Sequence, residues 1–375
     1  MLIGTGVFVL VVILGGMLFI NFYPSFGGDL TEEMAKSYAK SPNFKEGKFV
    51  NAKAHIPEKM SFGKMVSVSR KFFFSKVPNG SPKMNISVKK VAKESLLNYS
   101  EEARLLWFGH SAFLLQTASK VILIDPMLGK VAAPHEWLGS QRFNSDIPLP
   151  IAEMPTIDAV IISHDHYDHL DYPSIKKLAG KVKRFYVPLG VGVHLRAWGI
   201  EANRIMEMDW WQETQLEELH FTFTPAQHFS GRKFSNGQHT LWGSWVIRSD
   251  DFNLFFSGDS GYGPHFTEIG KTYGPFDLAL MECGQYNEMW PDIHMFPEET
   301  VQAGLDVRAE SVLPIHWGGF KLALHSWTDP IERAMKKGEE LEMPIITPQI
   351  GEFIPIKHPL GTSQWWESYE SGSKP

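Results

Sequence analysis

Four short apolar runs, each closing on a histidine or an aspartate, constrain this chain more than any other feature. Asp158-Ala-Val-Ile-Ile-Ser163 leads directly into His164-Asp-His-Tyr-Asp-His169. His220-Phe-Thr-Phe-Thr-Pro225 ends just before His228, Asn253-Leu-Phe-Phe-Ser257 before Asp259, and Ser311-Val-Leu-Pro-Ile315 before His316. Apolar, β-prone runs of this length bounded by Gly, Ser or Pro read as buried strands. The polar residues that follow them then fall in loops at one end of a sheet, where open sheets place their sites.

The string from His164 to His169 holds three imidazoles and two carboxylates in six residues. For one histidine, a ring satisfied by core hydrogen bonds is the commoner reading. Ligand-type residues at i, i+2, i+4 and i+5 instead point to a metal, because neutral imidazole and carboxylate together suit zinc or a neighbouring transition ion. His164, His166, Asp168, His169, His228, Asp259 and His316 make seven donors, more than one tetrahedral ion can use. Two ions are the economical expectation, with Asp259 bridging them at a separation of roughly 3.5–4 Å.

The His-x-His-x-Asp-His signature, followed by a later His, an Asp in a Ser-Gly-Asp turn and a final His, resembles the metallo-β-lactamase superfamily in its dinuclear zinc hydrolase branch, over residues 102–358. Trp107-Phe-Gly-His-Ser111, Arg142-Phe143, Leu241-Trp-Gly-Ser-Trp245 and His294-Met-Phe-Pro-Glu-Glu299 are similar to the N-acylphosphatidylethanolamine phospholipase D group and its bacterial, ascorbate-phosphate lactonase-like relatives. Met281-Glu-Cys-Gly-Gln-Tyr-Asn287 departs from the phospholipase pattern. The resemblance implies an αββα sandwich of two similar halves within the α/β class. It also implies that His164, His166 and His228 hold one Zn2+, that Asp168, His169 and His316 hold a second, and that Asp259 is shared. His294 matches a site position of the phospholipase group and is expected to act on substrate. His110 and Asp125 are expected to hydrogen-bond near the metals without ligating them.

Residues 1–28 are expected to form a membrane anchor, because Leu2 to Phe22 carries no charge and a span needs about 20 helical residues. There is no Lys or Arg before residue 36 and no Ala-x-Ala site directly after the apolar stretch, which disfavours a cleaved signal peptide. Lys36 and Lys40 on the downstream side lean toward a cytoplasmic catalytic domain. Residues 29–101 read as an arm laid over the domain, opening with a short helix capped by Asp29 and Glu32 at capping-box spacing. Arg70-Lys-Phe-Phe-Phe-Ser-Lys76 in that arm suits either a membrane interface or an ordinary strand. Residues 359–375 are a polar tail, with Trp365-Trp366 either capping the core or touching lipid.

A 375-residue chain that is 43% hydrophobic can bury a sizeable core. Its net charge of −6 offers no basic field for nucleic acid. Cys283 is the single cysteine and reads as a buried small hydrophobe. Gly258-Asp-Ser-Gly261 reads as a ligand turn, since a nucleotide phosphate loop would end on Gly-Lys-Ser/Thr, and no Gly-x-Ser-x-Gly elbow is present. Trp242, Trp245, Trp290 and Trp317 lie near the ligand loops and are candidates to line an acyl groove.

The expected activity is that of a membrane-anchored dinuclear zinc phosphodiesterase of phospholipase D type, with Asp168 and His294 at the reacting groups. A lactonase is the alternative enzyme. A membrane protein whose metals only stabilise the fold is the alternative from another class.

Overall fold

A computed structural model describes residues 2–52, 63, 70–71, 75–97, 99, 102–233, 235–359 and 361–371. Strand alternation builds the fold. In Arg104–Trp107, Leu105 and Trp107 enter one buried cluster while Leu106 and the following Phe108 enter another, as a period of two requires. After a small hairpin of β1 (Phe44–Lys45) and β2 (Lys48–Phe49), the chain lays down β3 (Arg104–Trp107), β4 (Phe113–Gln116), β5 (Val121–Ile124), β6 (Ile157–Ile161), β7 (Val182–Pro188) and β8 (Ile205–Met208). It then forms β9 (Glu213–Leu216), β10 (Leu219–Thr224), β11 (Ser244–Arg248), β12 (Asn253–Phe256), β13 (Leu278–Glu282) and β14 (Val312–Ile315) as a six-stranded sheet, before β15 (Phe353–Pro355) returns to β3 and makes the first sheet seven-stranded.

The orders are β15-β3-β4-β5-β6-β7-β8 and β14-β13-β12-β11-β10-β9. Each sheet is antiparallel on one side and parallel on the other: β5 to β8 pair in parallel, as do β12 to β14. One cluster joins Leu105, Ile122 and Ile161 of the first sheet to Phe221, Phe223 and Trp245 of the second. The other packs Leu106, Leu123 and Val160 against Ile175, Leu178 and Leu195, which lie in or beside the helices Tyr172–Leu178 and Gly192–Ala197. Helices His265–Tyr273, Pro297–Asp306 and Asp329–Leu341 contribute Phe266, Val301 and Ile331 to the cluster of the second sheet. This is the expected sandwich of sheets faced by helices.

The spanning anchor is corrected. Residues Leu2–Phe22 do form a helix without a charge in its first or last turn, but among the described residues no helix is long and apolar enough to cross a membrane. Its last turn docks on the protein, where Phe19 stacks on Tyr23 at 4.9 Å and meets Phe26 at 5.4 Å and Trp137 at 5.6 Å. The exposed large apolar side chains described on it are Val7 to Leu14, Met17, Leu18 and Phe22. The argument for a cytoplasmic catalytic domain falls with the anchor.

One further expectation changes, one lies outside the described residues, and one is decided between its alternatives. The second helix, Glu32–Tyr38, is capped by Thr31, whose side chain accepts from Met34 N, while Asp29 pairs with Lys233 at 2.8 Å. The Phe72-Phe73-Phe74 cluster lies outside the described residues. Trp365 and Trp366 are buried, with Trp365 stacked on Trp317 at 5.5 Å, so they cap the core. Burying large aromatic side chains contributes roughly 1.5–3 kcal/mol each, enough to fix the tail through the short helix Glu367–Ser371.

Candidate metal centre

The ligand-type residues gather where β6, β10, β12 and β14 end. His164 lies three residues past β6, His228 four past β10, Asp259 three past β12, and His316 directly after β14. The turn before Asp259 needs glycine, since Gly258 has φ +57° and a Cβ there would meet Gly243 O at 2.7 Å. His316 itself sits at φ +65° and His110 at φ +56°, two non-glycine residues held in the left-handed region, as site residues often are.

His164 Nε2 lies 2.9 Å from His166 Nδ1, and His228 Nε2 lies 3.2 Å from that same atom. Asp259 Oδ2 stands 3.8 Å from both His164 Nε2 and His228 Nε2. On the other side, His316 Nε2 is 3.0 Å from Asp168 Oδ2 and 3.2 Å from Asp259 Oδ2, and His169 Nε2 is 3.1 Å from Asp259 Oδ1 and 3.6 Å from Asp168 Oδ2. Donors about 2.0–2.1 Å from a tetrahedral ion stand about 3.3 Å apart. All seven sequence-expected donors are therefore brought together, in two groups that meet at Asp259. His110 adds Nε2 at 3.0 Å from Asp168 Oδ2 and belongs to the second group, whose donor atoms lie within 4.8 Å of one another.

Partners behind the rings aim them. His169 Nδ1 donates to Asp125 at 2.7 Å, His228 Nδ1 to Ile293 O at 3.0 Å, and His316 Nδ1 to Glu282 at 3.3 Å. Each bond leaves Nε2 free to face the centre. His164 Nδ1 meets Ser163 Oγ at 2.9 Å, and Ser163 N and Oγ both donate to Asp125. Asp165 is not a donor. It is buried against His194 at 3.3 Å and accepts from Gly231 N at 2.8 Å, tying the motif loop to its neighbours.

A cation fits these residues. His169 Nε2 and Asp259 Oδ1 are buried, stand 3.1 Å apart and make no well-formed hydrogen bond to each other or to another described group, whereas buried polar atoms are almost always satisfied. Asp125, Asp168, Asp259 and Glu282 face imidazoles, and among the described residues none of the four forms an ion pair with Lys or Arg. Burial pushes His164, His166 and His228 below the usual histidine range. Burial also opposes charge on His169 and His316, but the nearby carboxylates prevail, raising His169 well above its usual range and His316 to about 10. Asp168 and Asp259 are held well below the carboxylate range by those same rings, against the effect of burial.

A cleft of about 320 Å³ opens on the centre, with His166, Asp168 and His294 on its floor side and Phe229, Trp290 and Leu322 among its apolar lining. His294 Nδ1 is 3.1 Å from Glu282, and its ring stacks on His316 at 5.2 Å. Of the four tryptophans considered for an acyl groove, only Trp290 lines this cleft. Trp242, Trp245 and Trp317 are buried, their indole N–H groups donating to Ala226 O, Ile162 O and Pro314 O. Cys283 is buried, and burial pushes its thiol up, as expected of a core residue.

The family model for the β-lactamase superfamily domain matches residues 120–317, the segment that carries every one of the seven donors. The chain belongs to the metallo-β-lactamase superfamily. An uncharacterized protein of Mycobacterium tuberculosis is 44% identical over 264 residues, covering 69% of this chain and 70% of that one. The N-acyl-phosphatidylethanolamine-hydrolyzing phospholipase D 1 of Caenorhabditis elegans is 30% identical over 264 residues, covering 66% and 74%. The metallo hydrolase Igni18 of the archaeon Ignicoccus hospitalis superposes with a TM-score of 0.50 at 24% identity, over 68% of this chain and 98% of that one. The protein is a metal-dependent hydrolase of this superfamily.

Within the superfamily centre, protons and metal compete. In the metal-free chain the raised His169 and His316 contribute stability that is full below the usual histidine value of 6.5 and is lost as pH rises toward about 10. The depressed Asp168 and Asp259 contribute stability present above 3.8 and lost as pH falls. The depressed His164, His166 and His228 contribute stability present above 6.5 and lost as pH falls below it, so chelator-treated protein should show its highest Tm near pH 6.5. Metal affinity should instead rise with pH, with protons released on binding. Calorimetry in two buffers of different ionisation enthalpy measures that release, and a pH-independent affinity would contradict it.

Proposed function

We propose that the protein is a dinuclear zinc hydrolase of phospholipase D type, cleaving a phosphodiester bond of N-acylphosphatidylethanolamine or a related glycerophospholipid. The observation that carries this reading is Asp259, which reaches rings of both donor groups with one carboxylate. His164, His166 and His228 would hold one ion and Asp168, His169 and His316 the other. Two ions so held supply Lewis acidity and a water of lowered pKa.

The chain's own groups do the rest. His294 has its Nδ1 bound to Glu282 and so turns Nε2 toward the cleft, where it can give a proton to the leaving alkoxide. Phe229, Trp290, Ile293 and Leu322 form an apolar wall beside that floor and suit an aliphatic chain, burying it and excluding water from the reacting bond. Trp290 is held in place by its N–H bond to Gln285 O at 2.9 Å. The name of the nematode relative, a phospholipase D that hydrolyses N-acylphosphatidylethanolamine, supports the choice of substrate class.

Hydrolysis in ¹⁸O-labelled water tests which bond breaks. The label should appear in the phosphate of the phosphatidic acid product. Label in a carboxylate would replace this reading with a lactonase or acyl hydrolase, and no turnover of any ester by metal-loaded protein would favour a role in which the metals only stabilise the fold.

A further inference from the structure

We infer that Glu282 is a positioning residue that holds His294 and His316 together in their Nδ1–H forms, so that the substrate-side and the metal-side imidazole present Nε2 in a fixed relation. The role of His294 in it rests on the reading of the site given above.

Glu282 closes β13 and is fully buried. Its Oε1 accepts from His294 Nδ1 at 3.1 Å and from His316 Nδ1 at 3.3 Å, and its Oε2 accepts from Met295 N at 2.9 Å. Its backbone is pinned on both sides, with N–H donated to Ser257 Oγ at 2.9 Å and the carbonyl accepting from Thr300 Oγ1 at 2.7 Å. The carboxylate cannot follow a moving ring, so the rings must conform to it. Among the described residues its ion-pair partners are these two imidazoles alone. A buried carboxylate can only accept from these rings and gains from each donor it keeps, so both contacts require a proton on Nδ1 and disfavour the Nε2–H form of either ring.

The consequence for chemistry is directional. His316 turns Nε2 to Asp168 and Asp259, at 3.0 and 3.2 Å. His294, stacked 21° from parallel on it, turns Nε2 to the cleft. When the bond from phosphorus to the leaving oxygen breaks, the electron pair stays on that oxygen and takes the Nε2 proton of the His294 imidazolium. The imidazole left behind keeps its Nδ1 proton on Glu282, and the proton released by the attacking water restores Nε2, so none is consumed. Glu282 thus serves His294 as the buried aspartate of a Ser-His-Asp triad serves its histidine, fixing the form and orientation of the ring.

The test uses the full, zinc-reconstituted chain with ¹⁵N-labelled histidine. The unsubstituted protein should show His294 and His316 as Nδ1–H rings with downfield proton resonances. Finding His294 in the Nε2–H form overturns the proposal, whether or not any variant folds. Glu282→Gln should keep the metal content, lose both resonances, and turn over an alkyl phosphodiester about 10²-fold more slowly. It should lose only about 10-fold on a nitrophenyl phosphodiester, the low end of what loss of a partner behind a metal-bound ring costs, because that leaving group needs no proton. Glu282→Asp should recover part of the loss, and Glu282→Gln added to His294→Ala should cost no more than that smaller factor. Equal losses on both substrates, or additive losses in the double variant, mean a merely structural carboxylate and overturn it. If the unsubstituted chain cleaves no phosphodiester, the substrate reading falls and the ring-form measurement still decides the role of Glu282.

Discussion

Asp259→Ala is expected to strip metal from the purified protein and to lower kcat/KM by more than the ~10–100-fold that follows loss of an outer-shell partner. The side chain is buried and lies within 3.8 Å of Nε2 of His164, His169, His228 and His316. Its removal takes an anionic oxygen from each donor group at once. The rings left behind are a poorer site for a dication, and His169 and His316 lose the carboxylate that does most to offset burial and keep them raised. Elemental analysis should fall from near two zinc equivalents per chain in the unsubstituted protein. Asp259→Asn separates charge from shape: it keeps the volume and one oxygen, and should still lose metal. A variant that keeps full metal and full rate would end the assignment of Asp259 as the shared residue.

His294→Ala should do the opposite to the two quantities measured. Metal content should be unchanged, because the seven donors do not include it, while kcat on an alkyl phosphodiester drops by roughly 10²–10⁴-fold. The ring is partly exposed where it lines the cleft, so its removal opens space at the surface and leaves the core intact. Loss of metal from this variant would move His294 into the coordination shell, which its grouping with Asp259 and His316 makes a meaningful outcome. Unchanged kinetics with unchanged metal would leave it structural.

The centre was legible in the sequence because its donors obey a local rule. Each follows a run of buried residues, and a strand that must end at the edge of a sheet delivers the next polar residue to the loop cluster there. The same rule pointed to Glu282 and was not applied: Asp277-Leu-Ala-Leu-Met-Glu282 is a fifth apolar run closing on a carboxylate, and in the fold it is the strand between those leading to Asp259 and His316. Ser163, which passes a hydrogen bond from His164 to Asp125, carried no such signal.

Where sequence reasoning failed, the deciding interaction was long-range. The apolar N-terminal helix reads as a span by composition; in the structure it docks through Phe19 on Phe26 and Trp137, and among the described residues no helix is long and apolar enough to cross a membrane. Asp29 has capping spacing, yet Lys233, distant in sequence, takes its carboxylate and leaves the cap to Thr31. Proximity in sequence placed three tryptophans near the ligand loops; their N–H groups turn inward because the backbone carbonyls that need them are buried. By itself the sequence determined the α/β class and the strand ends that gather the seven ligand-type residues, because these follow from patterning within a few residues. The tertiary structure alone decided which of those residues approach Asp259, how Glu282 joins His294 to His316, and which aromatic rings meet the cleft, because those depend on how two sheets and their crossovers bring segments far apart in the chain within hydrogen-bond reach.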